Sequence, residues 1–267
     1  MDKILIVSDA WFPLTNGVVT TLAQTAQRLE RFGHEVQVIH PGKFRTVPCP
    51  SYPEIRVAVF PAREMARCIE AARPRALHIA TEGPLGWAAR RHCLTRGLRF
   101  TTSYHTQFPQ YLRSRAPVPL WVSYAAIRLF HAPAQHCMVS TSSVHRELAA
   151  RGFRNLVRWS RGVDTQLFRP RPKDFLKLPG PVAAYPVTGP IDVVQDGVTG
   201  ALDNNLARAA ERALRIDPNV CRERALRSGW DACTREFESH LVECMPAAAA
   251  LRGRKAALVS RSGQAIP

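Results

Sequence analysis

The first 162 residues of this 267-residue chain predict an α/β fold, a doubly wound parallel sheet of the Rossmann-like kind. Two observations carry the prediction. Short apolar runs rich in β-branched residues alternate with segments of helical periodicity, the pattern of repeated βαβ units. The first such unit also has a helix-length crossover, which makes its two strands parallel through a right-handed connection.

The elements follow in order. Residues 3–7 read as a buried strand, and residues 8–17 as a loop. Val18, Leu22, Ala26, Leu29 and Phe32 then recur at three- and four-residue spacing, one face of a helix that Gly33 is placed to end. Residues 35–39 are the next strand. Residues 55–60 are strand-like, 64–72 are helical up to Pro74, and 76–80 form a strand. Residues 84–96 predict a helix closed by Gly97, 100–104 a strand, and 119–130 an apolar helix. A strand over 136–140, a helix over 143–150 closed by Gly152, and a strand over 155–159 complete the alternation.

The rest of the chain reads differently. Residues 163–182 are rich in proline and charge and predict a connector. Residues 183–246 predict a truncated, mainly helical unit: one strand near 181–185, turns and a short helix over 190–200, and helices over 206–216, 219–227 and 230–244. Two apolar faces there, Leu206/Ala210/Leu214 and Phe237/Leu241, need a partner. The first domain, another chain or no partner at all are the alternatives. Residues 247–267 are alanine-rich and basic without a sustained pattern, and predict disorder.

Charge narrows the partners. The formal net charge is +16, and no acidic residue occurs between Glu82 and Glu147, an interval with eight arginines. Such a stretch attracts phosphates on a nucleotide, a nucleic acid or an anionic lipid surface. A solvated arginine-rich surface accounts for it equally well. No helix-turn-helix, zinc-finger or aromatic RNA-binding motif accompanies the charge, so specific nucleic-acid binding is not expected. The first apolar run is too short for a signal-peptide core, and none reaches the roughly 18 residues of a membrane span. A cytoplasmic protein is expected, with peripheral contact at the inner membrane face as an option. The seven cysteines are odd in number and include no Cys-x-x-Cys pair, which argues against a disulfide framework or a zinc site and for reduced thiols.

His105 lies in "SYHTQFPQ", residues 103–110, where a strand stops. The carboxyl ends of strands in an open parallel sheet are where ligands bind. The residue type alone favours a hydrogen-bonded structural histidine.

Four segments carry a resemblance: "SDAWFPLTNGVVTT" after the first strand, "TTSYHTQFPQYL", "VSTSSVHRELAARGFRNLVRWSRGVDTQLFRP" and "PVAAYPVTGPIDVVQDGVTGALD". The chain resembles the GT-B glycosyltransferases, in particular the retaining nucleotide-sugar enzymes of lipid and mannosyl transfer. The resemblance implies that Gly17, with Asn16 beside it, approaches the donor pyrophosphate. An N–H-rich turn opening a helix suits that role. It implies that His105 lies near the transferred sugar, hydrogen-bonds a hydroxyl and orients the reacting carbon. The stretch from Arg161 to Asp164 matches the interdomain turn, for which a structural role is preferred. The donor implied is a GDP-mannose-like or UDP-sugar, the acceptor a lipid or other membrane-proximal glycan, and no metal or other cofactor is expected.

The sequence also departs from the family. The family's diphosphate-binding Arg and Lys are missing, as are its two glutamates eight positions apart, since no glutamate here has such a partner. The phrase ending at Val182 belongs before that block and the phrase from Ala183 after it. An internal deletion of most of the donor-binding domain is therefore expected, with weak or absent turnover. The alternative is a non-catalytic module that holds an acceptor or an anionic surface through its basic face.

Overall fold

The computed structural model describes residues 2–49, 52–105, 119–168 and 181–245. Residues 106–110 of the His105 segment, the second half of the connector and the predicted disordered tail lie outside the described residues. In chain order the strands are β1 (Lys3–Val7), β2 (Glu35–Ile39), β3 (Thr46–Cys49), β4 (Tyr52–Ala58), β5 (Ala76–Ile79), β6 (Thr101–Tyr104), β7 (Cys137–Val139), β8 (Leu156–Arg158), β9 (Val182–Ala184) and β10 (Gly200–Leu202). The α-helices are α1 (Gly17–Arg31), α2 (Ala62–Ala72), α3 (Pro84–Arg96), α4 (Leu120–His131), α5 (Ser142–Ala150), α6 (Pro190–Val193), α7 (Leu206–Ala213), α8 (Pro218–Arg227) and α9 (Trp230–His240).

A six-stranded sheet in the order β2-β1-β5-β6-β7-β8, parallel throughout, forms the centre. Ile4, Leu5, Ile6 and Val7 of β1 are all buried, as a strand covered on both faces requires. One face packs Leu5, Met65, Leu77, Leu85, Phe100 and Phe130 beneath α2, α3 and the end of α4. The other packs Ile4, Ile6, Leu22, Leu29, Trp159 and Phe237 beneath α1 and α9. This is the doubly wound arrangement the alternation predicts. The alternation places one more strand over residues 55–60. Instead β4 pairs antiparallel with β3 in a hairpin outside the main sheet. Pro48 and Pro53 explain this, because proline cannot donate to an interior ladder.

The last helix settles the fate of one apolar face. Trp230, Cys233, Thr234 and Phe237 form the buried stripe of α9. Phe237 is fully buried, with ring centroids 4.8 Å from both His78 and Trp159. The contact continues past the helix, where Cys244 N donates to Arg75 O at 2.6 Å and Glu243 bridges Ala76. Residues 230–245 thus pack on the first domain, although they follow the second unit in sequence.

The second unit is small. β9 and β10 form a two-stranded parallel sheet, and Ala201, Ala209 and Ala213, with Ala183 against them, are its core. Gly200 is required there, since a Cβ would lie 2.4 Å from the Val182 carbonyl oxygen. All seven cysteines are free thiols.

Candidate functional site

A parallel sheet brings the loops after β1, β5, β6 and β8 to one edge, and the strand order reverses between β1 and β5. That reversal is where a doubly wound sheet opens a crevice. Asp9, just beyond β1, organises it. Its carboxylate accepts from Thr81 Oγ1 at 2.8 Å, Leu85 N at 2.8 Å and Gly86 N at 3.2 Å. Its own N–H donates to Thr81 Oγ1 at 2.7 Å. Burial pushes the Asp9 carboxyl above the usual range, while the bonds from Leu85, Thr81 and Gly86 hold it back. The amino end of α3 is therefore filled by the protein's own carboxylate. A Cβ at Gly83 would come within 2.4 Å of Asp9 Cγ, so the glycine admits this contact. Sequence reasoning passed over Asp9; the pairing of a strand-end Asp with a Gly-Pro helix start was its signal.

The amino end of α1 is arranged differently. Asn16 Oδ1 accepts from Val18 N at 3.0 Å and Val19 N at 2.9 Å, so this side chain caps the helix. Beside it, a Cβ at Gly17 would lie 3.2 Å from Arg161 Nη1. The chain after β8 runs back along the sheet edge, with Gly162 against Trp230 and Val163 N donating to Ser228 O at 2.9 Å. That path delivers Arg161 to α1. The Arg161 side chain is exposed and has no ion pair among the described residues. Asp164 keeps the structural role expected of the turn, accepting from Gln166 N and Leu167 N.

His105 follows β6 and is half-buried, edge-on to Trp159 at 5.4 Å. Burial, then the charges of Arg161 and His131, lower its pKa to about 3, so the ring is neutral. Two other histidines behind it are fully engaged. His78 meets Thr101 Oγ1 at 2.9 Å and Ser103 Oγ at 3.1 Å. His131 meets Thr102 Oγ1 at 2.9 Å and Glu82 Oε1 at 3.1 Å. Of the three, His105 alone keeps a buried ring nitrogen, Nε2, without a hydrogen-bond partner. Arg161 thus lies against Gly17, while Asn16 faces its own helix.

A cleft of about 240 Å³ adjoins this edge, between the β1–α1 loop and the β3–β4 hairpin. Trp11, Phe12, Phe44 and Arg56 line it, and Trp11 stacks on His40 at 6.2 Å. A larger cavity of about 610 Å³ lies by Arg73, His92, Arg96 and Cys244. It opens at the amino ends of β5 and β6, away from the edge where such sheets bind ligands. Among the described residues, no group of three or more His, Cys, Asp or Glu is placed to hold a metal ion.

A family model described as Glycosyltransferase Family 4 matches residues 15–167, more than half of the chain. A GDP-mannose-dependent alpha-mannosyltransferase of Mycobacterium tuberculosis is 25% identical over 186 residues, which cover 63% of this chain and 49% of the relative. A sulfoquinovosyl transferase of Arabidopsis thaliana is 25% identical over 187 residues, 62% of this chain and 36% of the relative. A solved glycosyltransferase from Rickettsia africae aligns with a TM-score of 0.40 at 16% identity, covering 62% of this chain and 45% of that one. The chain spans about half the length, or less, of the curated relatives it matches.

Proposed function

The chain belongs to Glycosyltransferase Family 4, and from that premise we propose that its carboxyl-edge site holds the diphosphate of a nucleotide-sugar donor. The six-stranded sheet is the Rossmann-like domain of a GT-B glycosyltransferase. The observation that supports the proposal is Arg161 lying against Gly17 at the start of α1, with its charge acting on His105 after β6. Gly17 lets a phosphate approach the α1 backbone closely. Arg161 supplies a guanidinium free to take up its charge. Neutral His105 offers Nε2 to a sugar hydroxyl and orients the reacting carbon. Asn16 serves the site indirectly, by fixing the first turn of α1.

The donor is a GDP-mannose-like or UDP-sugar. The relatives named as GDP-mannose-dependent support the first. The acceptor is a lipid or glycan, and the aromatic cleft beside Trp11 suits a sugar ring or an acyl chain. The enzyme works in the cytoplasm with peripheral contact at the membrane. Its turnover is weak or absent. Retaining transfer needs fixed cations around the leaving diphosphate, and removing a single electrostatic contact of that type costs about 2.7–4 kcal/mol of barrier. Here the second-domain Arg and Lys and the paired glutamates are missing from the sequence, as an internal deletion between Val182 and Ala183 explains. The second reading, a binding module without chemistry, is favoured by the same loss.

Calorimetric titration with GDP-mannose and UDP-glucose tests this, on the unaltered protein and on Arg161→Ala and His105→Ala. Weak binding is expected, reduced about tenfold by Arg161→Ala, the worth of one charge-assisted hydrogen bond. Equal affinities in all three proteins overturn the site. No heat with either donor, from a folded protein, leaves the binding-module reading.

A further inference from the structure

We propose that the joined outer face of α3 and α4 docks onto an anionic lipid surface. On α3, Trp87, Arg91 and Leu94 point outward, and on α4 so do Trp121, Val122 and Leu129. Trp121 is 73% exposed and Leu129 61%, unusual values for such large apolar side chains grouped on two neighbouring helices. The helices form one surface. Arg90 donates from Nε to Phe130 O at 3.0 Å and from Nη2 to Leu129 O at 2.8 Å. Trp87 meets Phe130 edge-on at 5.0 Å.

Charge selects the occupant. The segment from 83 to 146 has no acidic residue. The two acids that flank it are engaged: Glu82 with His131, and Glu147 with Arg151 and the Tyr124 hydroxyl. Arg91 and Arg128 are exposed at the patch, Arg128 donating to Arg151 O. Tryptophan settles at headgroup level, leucine and valine enter the acyl boundary, and arginine is drawn to anionic lipid. A patch with exposed tryptophan and cations of one sign combines these three preferences. This deepens the membrane-contact part of the reading above. It does not require that transfer occurs.

Vesicle co-sedimentation is the test, with phosphatidylcholine alone and mixed with phosphatidylglycerol, at low and high salt. The unaltered protein is compared with Trp121→Ser/Leu129→Ser and with Arg91→Gln, each checked for fold by circular dichroism. The expected result is partition onto phosphatidylglycerol vesicles that weakens with salt. The double variant should lose about tenfold, and Arg91→Gln about fivefold, as one arginine near an anionic surface is worth. Equal binding to neutral vesicles, or no difference among the three proteins, overturns the proposal. So does absence of vesicle binding together with a self-association that Trp121→Ser abolishes, which would assign the patch to a second copy. Donor titration of the same variants reads the carboxyl-edge site separately.

Discussion

The six-stranded domain and the β9–β10 unit follow the same strand–helix–strand plan but bury different things. The first encloses Leu5, Ile6, Leu22, Leu77, Phe100 and Phe130 without measurable exposure. The second encloses alanine methyls and leaves Val187, Val193, Leu206 and Leu214 exposed, Val193 to 74%. Periodicity is enough to make an element, but the apolar area removed from water makes it stable, at roughly 25 cal/mol per Å². The second unit lacks strands for its larger residues to cover. Ion pairs with exposed arginines span it: Arg208 with Asp203, and Arg212 with Asp196. The α9 helix shows the converse. It follows the weak unit in sequence yet places Phe237 in the strong core.

The sharpest test of that contrast is a pair of truncations. Phe237→Ala should destabilise the protein by about 3–5 kcal/mol, the usual cost of emptying a buried phenylalanine site. Leu206→Ala, half-exposed on α7, should cost under about 0.5 kcal/mol. Denaturant unfolding reads both. A small cost for Phe237→Ala would show that α9 is no part of the first core.

How much of this was legible follows from the same contrast. The strands and helices of the first domain read from residue pattern because each buries a continuous apolar stripe. β3 and β10 were missed, being short and lacking alternation. The site was half-legible. His105 drew attention by its place after a strand and Gly17 through the resemblance; Gly17 opens α1 and His105 follows β6. Arg161 was read as a turn residue, since nothing local indicates that its chain runs back to α1. The cap function of Asn16 was visible as an Asn two residues before a helical stripe, but the resemblance drew attention to the donor instead. Asp9 was passed over for a related reason: its partners Thr81 and Leu85 lie 72 and 76 residues away, so the strand-end Asp and the Gly-Pro helix start were not read together.

The two regions should also part with pH. Burial holds His78 and His105 neutral, His105 at about 3 against 6.5 for the free group. The unfolded chain takes up those protons first, so acidification between pH 6.5 and 3 favours unfolding. The limit is about 1.4 kcal/mol per pH unit for each imidazole. His131 has the opposite sign. Burial opposes its charge, but Cys137 and Glu82 outweigh burial and push the pKa to about 10. Its contribution is whole below pH 6.5 and fades as the pH rises toward 10. Stability of the first domain should therefore peak near pH 6.5 and fall on both sides. In the second unit, hydrogen bonds from Arg208 and Asn205 N hold Asp203 at about 2, so its contribution persists until the pH falls from 3.8 toward 2. Denaturant midpoints across pH, followed by tryptophan emission from the first core, check this. A flat profile from acid to alkali would dissolve the distinction, and His105→Ala should flatten the acid limb alone.

The smallest effect tests whether charge truly substitutes for a core in the second unit. Arg212 donates to Leu202 O at 3.0 Å and reaches both Asp196 oxygens, at 2.9 and 3.0 Å. Asp196 Oδ1 in turn accepts from Leu202 N at 2.8 Å. Arg212→Ala removes the cation from this loop and leaves the first domain untouched, so the global unfolding midpoint should not move. Local opening should become easier, because a region with few buried contacts opens independently of the whole. Hydrogen exchange at the Leu202 amide is the readout, with a few-fold loss of protection expected there and none at Leu5 in β1. Unchanged exchange at Leu202 would mean that the alanine contacts alone hold β10. An equal loss at Leu5 would mean that the two regions open together, and the contrast between them would fail at its base.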